Sequence, residues 1–440
     1  MMKRVKPSEF TLWRAAVVNK TSTLDQWLEG VEFKSLCSPS QGAGMTLSDF
    51  PPFKKSKEKV MSVFVAGLKP TPKQRAELNK HLKVAQASYN WCKWLVQEMG
   101  VQPTQFQLQK YVAKNCTAPC LRGGKVVEPL DPKMIMPGCE WIVGTSTTQT
   151  RLLAAKDFST VHRTVSKKAC QNKKPCVIKD RRVGTLRGSF GCQKQFVKVL
   201  QSDQISILPK SIGTLKVTTR HLPPINHDLR VVKLPGGKWR LHIPVEASFL
   251  RRPLPPSQKL CGIDPGARAM ITVYDETDHH AWQACSHRNR QELQPLLKIA
   301  KTSTEQKTRL IAWQKIRNKV NGWHRQLINK LVKDFAHIAV GDLSVQSVVS
   351  RKRSLHRSVK HTLHLWGHFK FRTRLLHRVK GTNRRVVVQN EYLTSKTCSE
   401  CFEINKNLGS NETFACKSCR YLTNRDVNAA KNILRNSLLP

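Results

Sequence analysis

The sequence predicts a multidomain α/β protein, in which a β-rich region carrying a helical insertion precedes a mixed region of strands and helices. Three observations predict it. Helical periodicity holds irregularly from about residue 72 to 168, and period-two alternation takes over from 183 to 246. Beyond the proline-rich "RRPLPPSQ" (251–258), short apolar runs alternate with helical stretches. Near the C-terminus, two CxxC pairs mark a small module inserted among these elements.

The elements follow in order. Residues 1–59 lack sustained periodicity and include "SPSQGAGMTLSDFPPFKKSKEK", the texture of a flexible basic extension. "VMSVFVAG" (60–67) reads as a strand, and "LKPTPKQ" opens a helix with Pro72 in its first turn. Leu78, Leu82, Ala85, Tyr89 and Cys92 then form a helical stripe. "LRVVKLPGGKWRLHIPV" is a hairpin turning at "PGG", so a β-barrel interrupted by helices accounts for this half. "KLCGID" is a buried strand ended by Pro265-Gly266, with "ARAMITVYD" and "HAWQACS" as the next two. A long helical stretch (289–336), the strand "HIAVGDL" (337–343), a basic loop "RKRSLHRSVKH" (351–361) and the helix "WGHFKFRTRLLHRV" follow. The strand "RRVVVQNE" (384–391) leads into the cysteines, and "NRDVNAAKNILRNSL" is the final helix. Three strands, helix, strand, helix, strand, helix is the RNase H-like order.

With 76 Lys and Arg against 29 Asp and Glu, the formal net charge is +47. That excess implies a polyanionic partner, and nucleic acid is the first candidate because neutralising phosphates drives such binding. The charge runs through the whole length rather than one amphipathic face, and no apolar run approaches the roughly 20 residues of a membrane span. The N-terminus has no apolar core of a secretory signal. In a large basic chain, the 14 cysteines point to a reducing compartment and metal binding rather than disulfides. The scattered ones, such as Cys92 and Cys139, read as small buried apolar residues, and "CTAPC" and "CQNKKPC" lack the spacing of a ligand set.

Cys398, Cys401, Cys416 and Cys419 form two knuckles that together make a tetrahedral site suited to Zn²⁺. Four thiolates leave no open position, so this zinc is structural, and the polar loop "FEINKNLGSNETFA" depends on it to fold. Asp264 ends a buried strand, where a charge is costly unless paired or metal-bound. Asp426 stands at the start of the last helix, where an acid is also favoured by the helix dipole alone. Two such carboxylates in a polycationic chain suggest a divalent-metal site, which normally needs a third.

"GIDPGAR" (262–268), "TSKTCSEC…CKSC" (394–419) and "NRDVNAAKNIL" (424–434) resemble the three hallmark blocks of TnpB, the RNA-guided, RuvC-type nuclease of bacterial transposons related to type V CRISPR effectors. "LKPTPKQ…ASYNWC" resembles the start of its recognition region more loosely. In that family the aspartates matching Asp264 and Asp426 bind catalytic Mg²⁺ and the four cysteines bind Zn²⁺. One departure matters. Where TnpB carries its catalytic Glu, this chain has Gly341. Asp342 is adjacent, but successive strand side chains face opposite ways. A Glu lost there and replaced near the end of the next strand is a feature of Fanzor, the eukaryotic relatives of TnpB, and Glu391 lies at that place.

The resemblance implies an RNA-guided DNA endonuclease with a two-Mg²⁺ site at Asp264, Glu391 and Asp426. It implies an omega-type guide RNA and target double-stranded DNA as partners, no membrane, a protein monomeric in its RNA complex, and a nuclear location. The cluster Lys54, Lys55, Lys57, Lys59 would suit nuclear import. The implied domains are the extension (1–59), a wedge-type barrel (60–75 and 180–255), a helical recognition domain (76–179), a RuvC-like domain (256–396 and 421–440) and a zinc ribbon (397–420). "RKRSLHRSVKH" and the Lys-rich segment 167–182 would contact phosphates, with Trp91, Trp94 and Trp239 as candidates for stacking on bases. A transposase acting on element ends and a catalytically silent RNA-guided DNA-binding regulator remain as alternatives.

Overall fold

The computed structural model describes residues 59–438 apart from 115, 118–119, 123–124, 128, 174, 202, 220, 351–354 and 410. The predicted extension up to residue 58, the lysines at 54, 55 and 57, and the first four residues of the predicted basic loop lie outside the described residues. Two compact units are formed, Val60–Arg251 with Glu305–Ile311, and Arg252–Thr304 with Ala312–Pro440. The division falls at the start of the proline-rich stretch.

The first unit contains β1 (Met61–Lys69), α1 (Pro72–Gln97), α2 (Gln105–Val112), β2 (Cys120–Arg122), β3 (Lys125–Val127), α3 (Thr148–Gln171), β4 (Gly188–Cys192), β5 (Val197–Gln201), β6 (Gln204–Ile207), β7 (Gly213–Val217), β8 (Leu229–Lys233), β9 (Trp239–Glu246) and α4 (Ala247–Leu250). Seven strands make one antiparallel sheet, ordered β4-β8-β9-β1-β7-β6-β5. Every one of them sends apolar side chains into a single core with Leu78 and Leu82 of α1, so the sheet curls around that core. Its end strands β4 and β5 are not paired with each other among the described residues. Helix α1 begins as its sequence dictates: Thr71 and Gln74 form a reciprocal capping box, Pro72 follows the cap, and the predicted stripe is buried throughout. The β8–β9 hairpin turns at Gly236 and Gly237, whose φ values of +87° and +79° suit residues without Cβ.

Two of the three candidate stacking tryptophans take core roles instead. Trp91 and Trp239 are buried in two cores of this unit, and the Trp91 indole N–H donates to the Met134 carbonyl at 2.8 Å, so neither ring can stack on a base. Trp94 is half-buried against the helical core. Within the Lys-rich segment, Arg181 lies over the Tyr89 ring at 3.7 Å and near Asp157, and Asp180 pairs with Lys93 at 2.9 Å. Those two residues hold the segment to the helices, while Lys167, Lys168 and Lys179 remain exposed.

The second unit contains β10 (Leu260–Pro265), β11 (Ile271–Asp275), β12 (His280–Ala284), α5 (His287–Thr302), all but the first turns of α6 (Gln306–Asp334), β13 (His337–Gly341), α7 (Val345–Val348), α8 (Arg357–Trp366), α9 (His368–Val379), β14 (Arg385–Gln389), β15 (Thr413–Ala415), β16 (Leu422–Asn424) and α10 (Arg425–Leu438). The sheet runs β12-β11-β10-β13-β14, antiparallel across β12, β11 and β10 and parallel across β10, β13 and β14. By order of appearance this is 3-2-1-4-5, the RNase H-like arrangement expected from the order of elements. One face packs on α5, α6, α8 and α9 through Ile263, Val340, Leu327 and Phe371, and the other on α10 through Ala339, Ala430 and Ile433. The expected single helix over 289–336 is two, because Ser303 adopts an extended conformation and caps α5. Residues 357–361, expected as loop, open α8, which buries Leu363 and Trp366. Gly367, with φ +64°, then separates α8 from α9. No described helix is long and apolar enough to cross a membrane.

Candidate metal centre and its zinc brace

Asp264 is the fifth residue of β10, two beyond Gly262 and therefore on the same face. That face carries α10. A Cβ on Gly262 would lie 2.0 Å from the Ala430 carbonyl oxygen, so only glycine lets the helix settle this close to the strand. Asp426 sits one turn before Ala430, in the first turn of a helix capped by Asn424, whose Oδ1 accepts from the Asp426 N–H at 2.8 Å. Close packing of α10 thus brings Asp426 toward Asp264.

Gly262 pairs with Ala339 in the parallel ladder, which puts position 341 beside Asp264 on the α10 face. Gly341 has no side chain to offer there, and Glu391 supplies one. A Cβ on Gly341 would lie 2.0 Å from Glu391 Oε1 and 2.8 Å from its Cγ and Cδ. Glu391, two residues past the end of β14, therefore folds its carboxylate back into the space that a side chain at 341 would take. The Leu343 N–H donates to Glu391 Oε1 at 3.1 Å, and the Glu391 N–H donates to Asp342 Oδ1 at 3.3 Å. Asp342 is exposed just past the end of β13, and its carboxylate helps hold the turn bearing Glu391.

Asp264 lies within reach of the charges of both other acids. Burial, then the charges of Asp426 and Glu391, push the Asp264 carboxyl well above the usual carboxylate range. Burial, then Asp342, raises Glu391 to about 7, against the Leu343 amide and Arg372. Burial also raises Asp426, with Arg268 and Arg425 opposing. Among the described residues, the Asp264 carboxylate meets no hydrogen-bond donor and no ion-pair partner, and Asp426 has only Arg268 at 3.9 Å. The charges of Asp426 and Glu391 both act on Asp264 with little to offset them, which suits a hard divalent cation.

The four cysteines come together as expected. Among the described residues they are the group whose ligand atoms all lie within 4.8 Å of one another; the three carboxylates are spread more widely. Cys398 Sγ is 3.7 Å from Cys419 Sγ, and Cys401 Sγ is 3.4 Å from Cys416 Sγ. Tetrahedral zinc with Zn–S bonds of about 2.3 Å requires sulfurs roughly 3.8 Å apart, so the cluster fits Zn²⁺. Around it the ribbon core is only Leu408, Phe414 and Tyr421.

Three residues on α10, whose roles sequence reading missed, brace this module. Asn428 accepts from the Ser399 N–H at 3.0 Å and donates to the Thr397 carbonyl at 2.7 Å. Asn432 donates to the carbonyls of Thr394 and Thr397 at 2.8 and 2.7 Å. Lys431 is buried, pairs with Glu400 at 3.2 Å, donates to the Tyr421 hydroxyl at 2.8 Å and lies over the Tyr274 ring. The signal was present in the sequence: polar residues at 428, 431 and 432 share one helical face otherwise set among alanines.

Residues 368–433, which span α9, β14, the ribbon and most of α10, match the family described as Cas12f1-like, TNB domain. The TnpB-like protein L79 of Acanthamoeba polyphaga mimivirus is 33% identical over 198 residues, covering 41% of this chain and 38% of that protein. The matched part of the chain is thus similar to TnpB-like proteins over that stretch. A protein named putative RNA-guided DNA endonuclease InsQ, from Escherichia coli K12, is 26% identical over 267 residues, covering 54% of this chain and 64% of its own. The chain thus spans under two thirds of the length of these relatives. Among solved structures, the mini-RNA-guided endonuclease CRISPR-Cas_phi3 aligns with a TM-score of 0.43 at 9% identity, over 87% of this chain and 93% of that one.

Proposed function

We propose that this chain is an RNA-guided DNA endonuclease with the site arrangement of the Fanzor branch, and that Asp264, Glu391 and Asp426 hold its Mg²⁺. The observation that carries this reading is the fit of the Glu391 carboxylate into the space left by Gly341, beside Asp264 and on the face that α10 covers. A neutral or silent site would have no reason to gather three acids where burial and mutual repulsion oppose their ionisation. Bound divalent metal supplies the activation of water and the charge stabilisation that phosphodiester hydrolysis needs. The residues themselves hold the cations, keep the third carboxylate on the turn after β14, and leave Arg372, half-buried beside Glu391, to moderate the local negative charge.

The remaining assignments follow from the same reading. A charge of +47 suits an omega-type guide RNA paired with target DNA, contacted along their phosphates. The curled seven-stranded sheet would be the wedge-type barrel, its helices α1 to α3 the recognition insertion, and the protein would act in the nucleus as a single copy on its RNA.

Single-turnover cleavage with guide RNA and Mg²⁺ tests the site. Glu391→Gln keeps size and removes a ligand, so cleavage should be lost while RNA and target binding persist. Asp342→Asn keeps the oxygen that accepts from Glu391 N–H and should cut nearly as well as wild type. A dead Asp342→Asn beside a fully active Glu391→Gln would return the third carboxylate to β13. Cleavage of element ends that survives RNase treatment would make the protein a transposase. Target binding with no cleavage by the wild-type chain in either Mg²⁺ or Mn²⁺ would make it an RNA-guided regulator.

A further inference from the structure

The turn from Glu391 to Cys398 joins the two sites, and helix α10 braces it. Its first residue is the relocated carboxylate and its last is a zinc ligand. Inside it, the Thr394 N–H and hydroxyl both donate to the Glu391 carbonyl, at 3.2 and 3.0 Å, and the Thr397 hydroxyl donates to the Leu393 carbonyl at 3.0 Å. The outward carbonyls of Thr394 and Thr397 are taken by the side-chain amides of Asn432 and Asn428. Both amides belong to α10, the helix whose first turn carries Asp426. Both are fully buried. Buried carbonyls without these donors would each cost about 1–3 kcal/mol, so the pairing is strongly specified.

A rigid path therefore runs from Asp426 along α10 through Asn428 and Asn432 to the turn, and from there to Glu391. The zinc knuckle closes the far end, since Asn428 also accepts from Ser399 N–H, one residue past Cys398. We propose that Asn428 and Asn432 are positioning residues that set the separation of the Glu391 and Asp426 carboxylates, and that zinc at the four cysteines keeps that separation fixed. They touch neither substrate nor metal. Without them the turn bearing Glu391 keeps strand β14, the Leu343 and Asp342 contacts and its backbone bonds into the ribbon, but loses its tie to the helix that carries Asp426.

The inference rests on reading the three carboxylates as a cation site, and the test separates the two. The protein–RNA complex is titrated with Mn²⁺ alone, without target DNA, and bound Mn²⁺ is followed by electron paramagnetic resonance, with zinc content measured on the same samples. Asn432→Ala should weaken Mn²⁺ binding by about 10- to 100-fold, the range typical of lost outer partners of a metal site. Zinc content should stay at one per chain, and raised Mn²⁺ should restore cleavage toward the wild-type rate. If the alanine variant does not fold, Asn432→Ser, whose hydroxyl can still donate to one carbonyl, should fold and show a smaller weakening in the same direction. Wild-type Mn²⁺ affinity in whichever folded, zinc-loaded variant is obtained overturns the proposal. Glu391→Gln is the control: if it too binds Mn²⁺ like wild type, the site reading itself fails, whereas weakened binding there with unchanged binding in Asn432→Ala sinks only the positioning role.

Discussion

Two glycines do opposite work at this site, and a methyl group distinguishes them. At Gly262 the added Cβ meets the backbone oxygen of Ala430 at 2.0 Å, and backbone cannot swing aside. Gly262→Ala should therefore lift α10 off the sheet and cost about 1–3 kcal/mol or more, as overpacking does. At Gly341 the obstructing atoms belong to the end of a Glu391 side chain, which can rotate away. Gly341→Ala should cost little stability, under about 1 kcal/mol, yet it should displace the carboxylate and lower cleavage by at least about tenfold at limiting metal. Thermal unfolding and metal-dependent cleavage measured on both variants separate the two roles. A Gly341→Ala protein with wild-type cleavage would mean that Glu391 functions from some other rotamer. The same clash bears on moving the acid back to position 341: a glutamate there needs Glu391 shortened as well as neutralised.

At the scale of elements, the ribbon is the part whose fold depends on something other than its own core. Its buried apolar side chains are few, and α10 holds it through amides and one buried lysine rather than through a wide apolar face. Cys398→Ser removes the ligand nearest the Glu391 turn. Zinc content should fall below one per chain, and the 391–424 region should lose protection from amide exchange while the first unit keeps its own. Unchanged zinc and unchanged protection would remove the Cys₄ assignment. Much of this arrangement was legible beforehand, because period-two runs, PGG and Pro-Gly turns, and CxxC spacing are local signals. Asp264, Asp426 and the cysteines were legible for the same reason. The split of 289–336 into α5 and α6, and the helical start at Arg357, were not, since each depends on which face finds a core. Nor was the brace: Asn428, Lys431 and Asn432 read as ordinary polar helix positions until the carbonyls they satisfy are seen.

At the scale of the whole molecule, charge decides what the chain can bind and leaves to geometry what it can cut. Lys and Arg outnumber Asp and Glu by 47, yet Asp264 is buried within reach of the charges of two other acids, Asp426 and Glu391. Binding and cleavage should therefore respond to different variables. Affinity for non-specific duplex DNA comes from distributed phosphate contacts, each releasing counterions, so log K should fall with log salt at about −0.9 per contact. For 6–10 contacts that is a loss of about 10³–10⁵ between 50 and 200 mM salt. Glu391→Gln should leave this slope unchanged, because it touches no phosphate-binding cation, even as it abolishes cleavage. Replacing the exposed Lys167, Lys168 and Lys179 by Ala should instead reduce the slope, by up to about three contacts, and leave the metal dependence of cleavage as it was. Fluorescence anisotropy across a salt series, run beside single-turnover cleavage at saturating protein, reads both quantities. A nearly flat salt dependence of the wild-type chain would undo the polyanion argument. A triple-alanine variant with an unchanged slope would place the phosphate contacts on other basic residues.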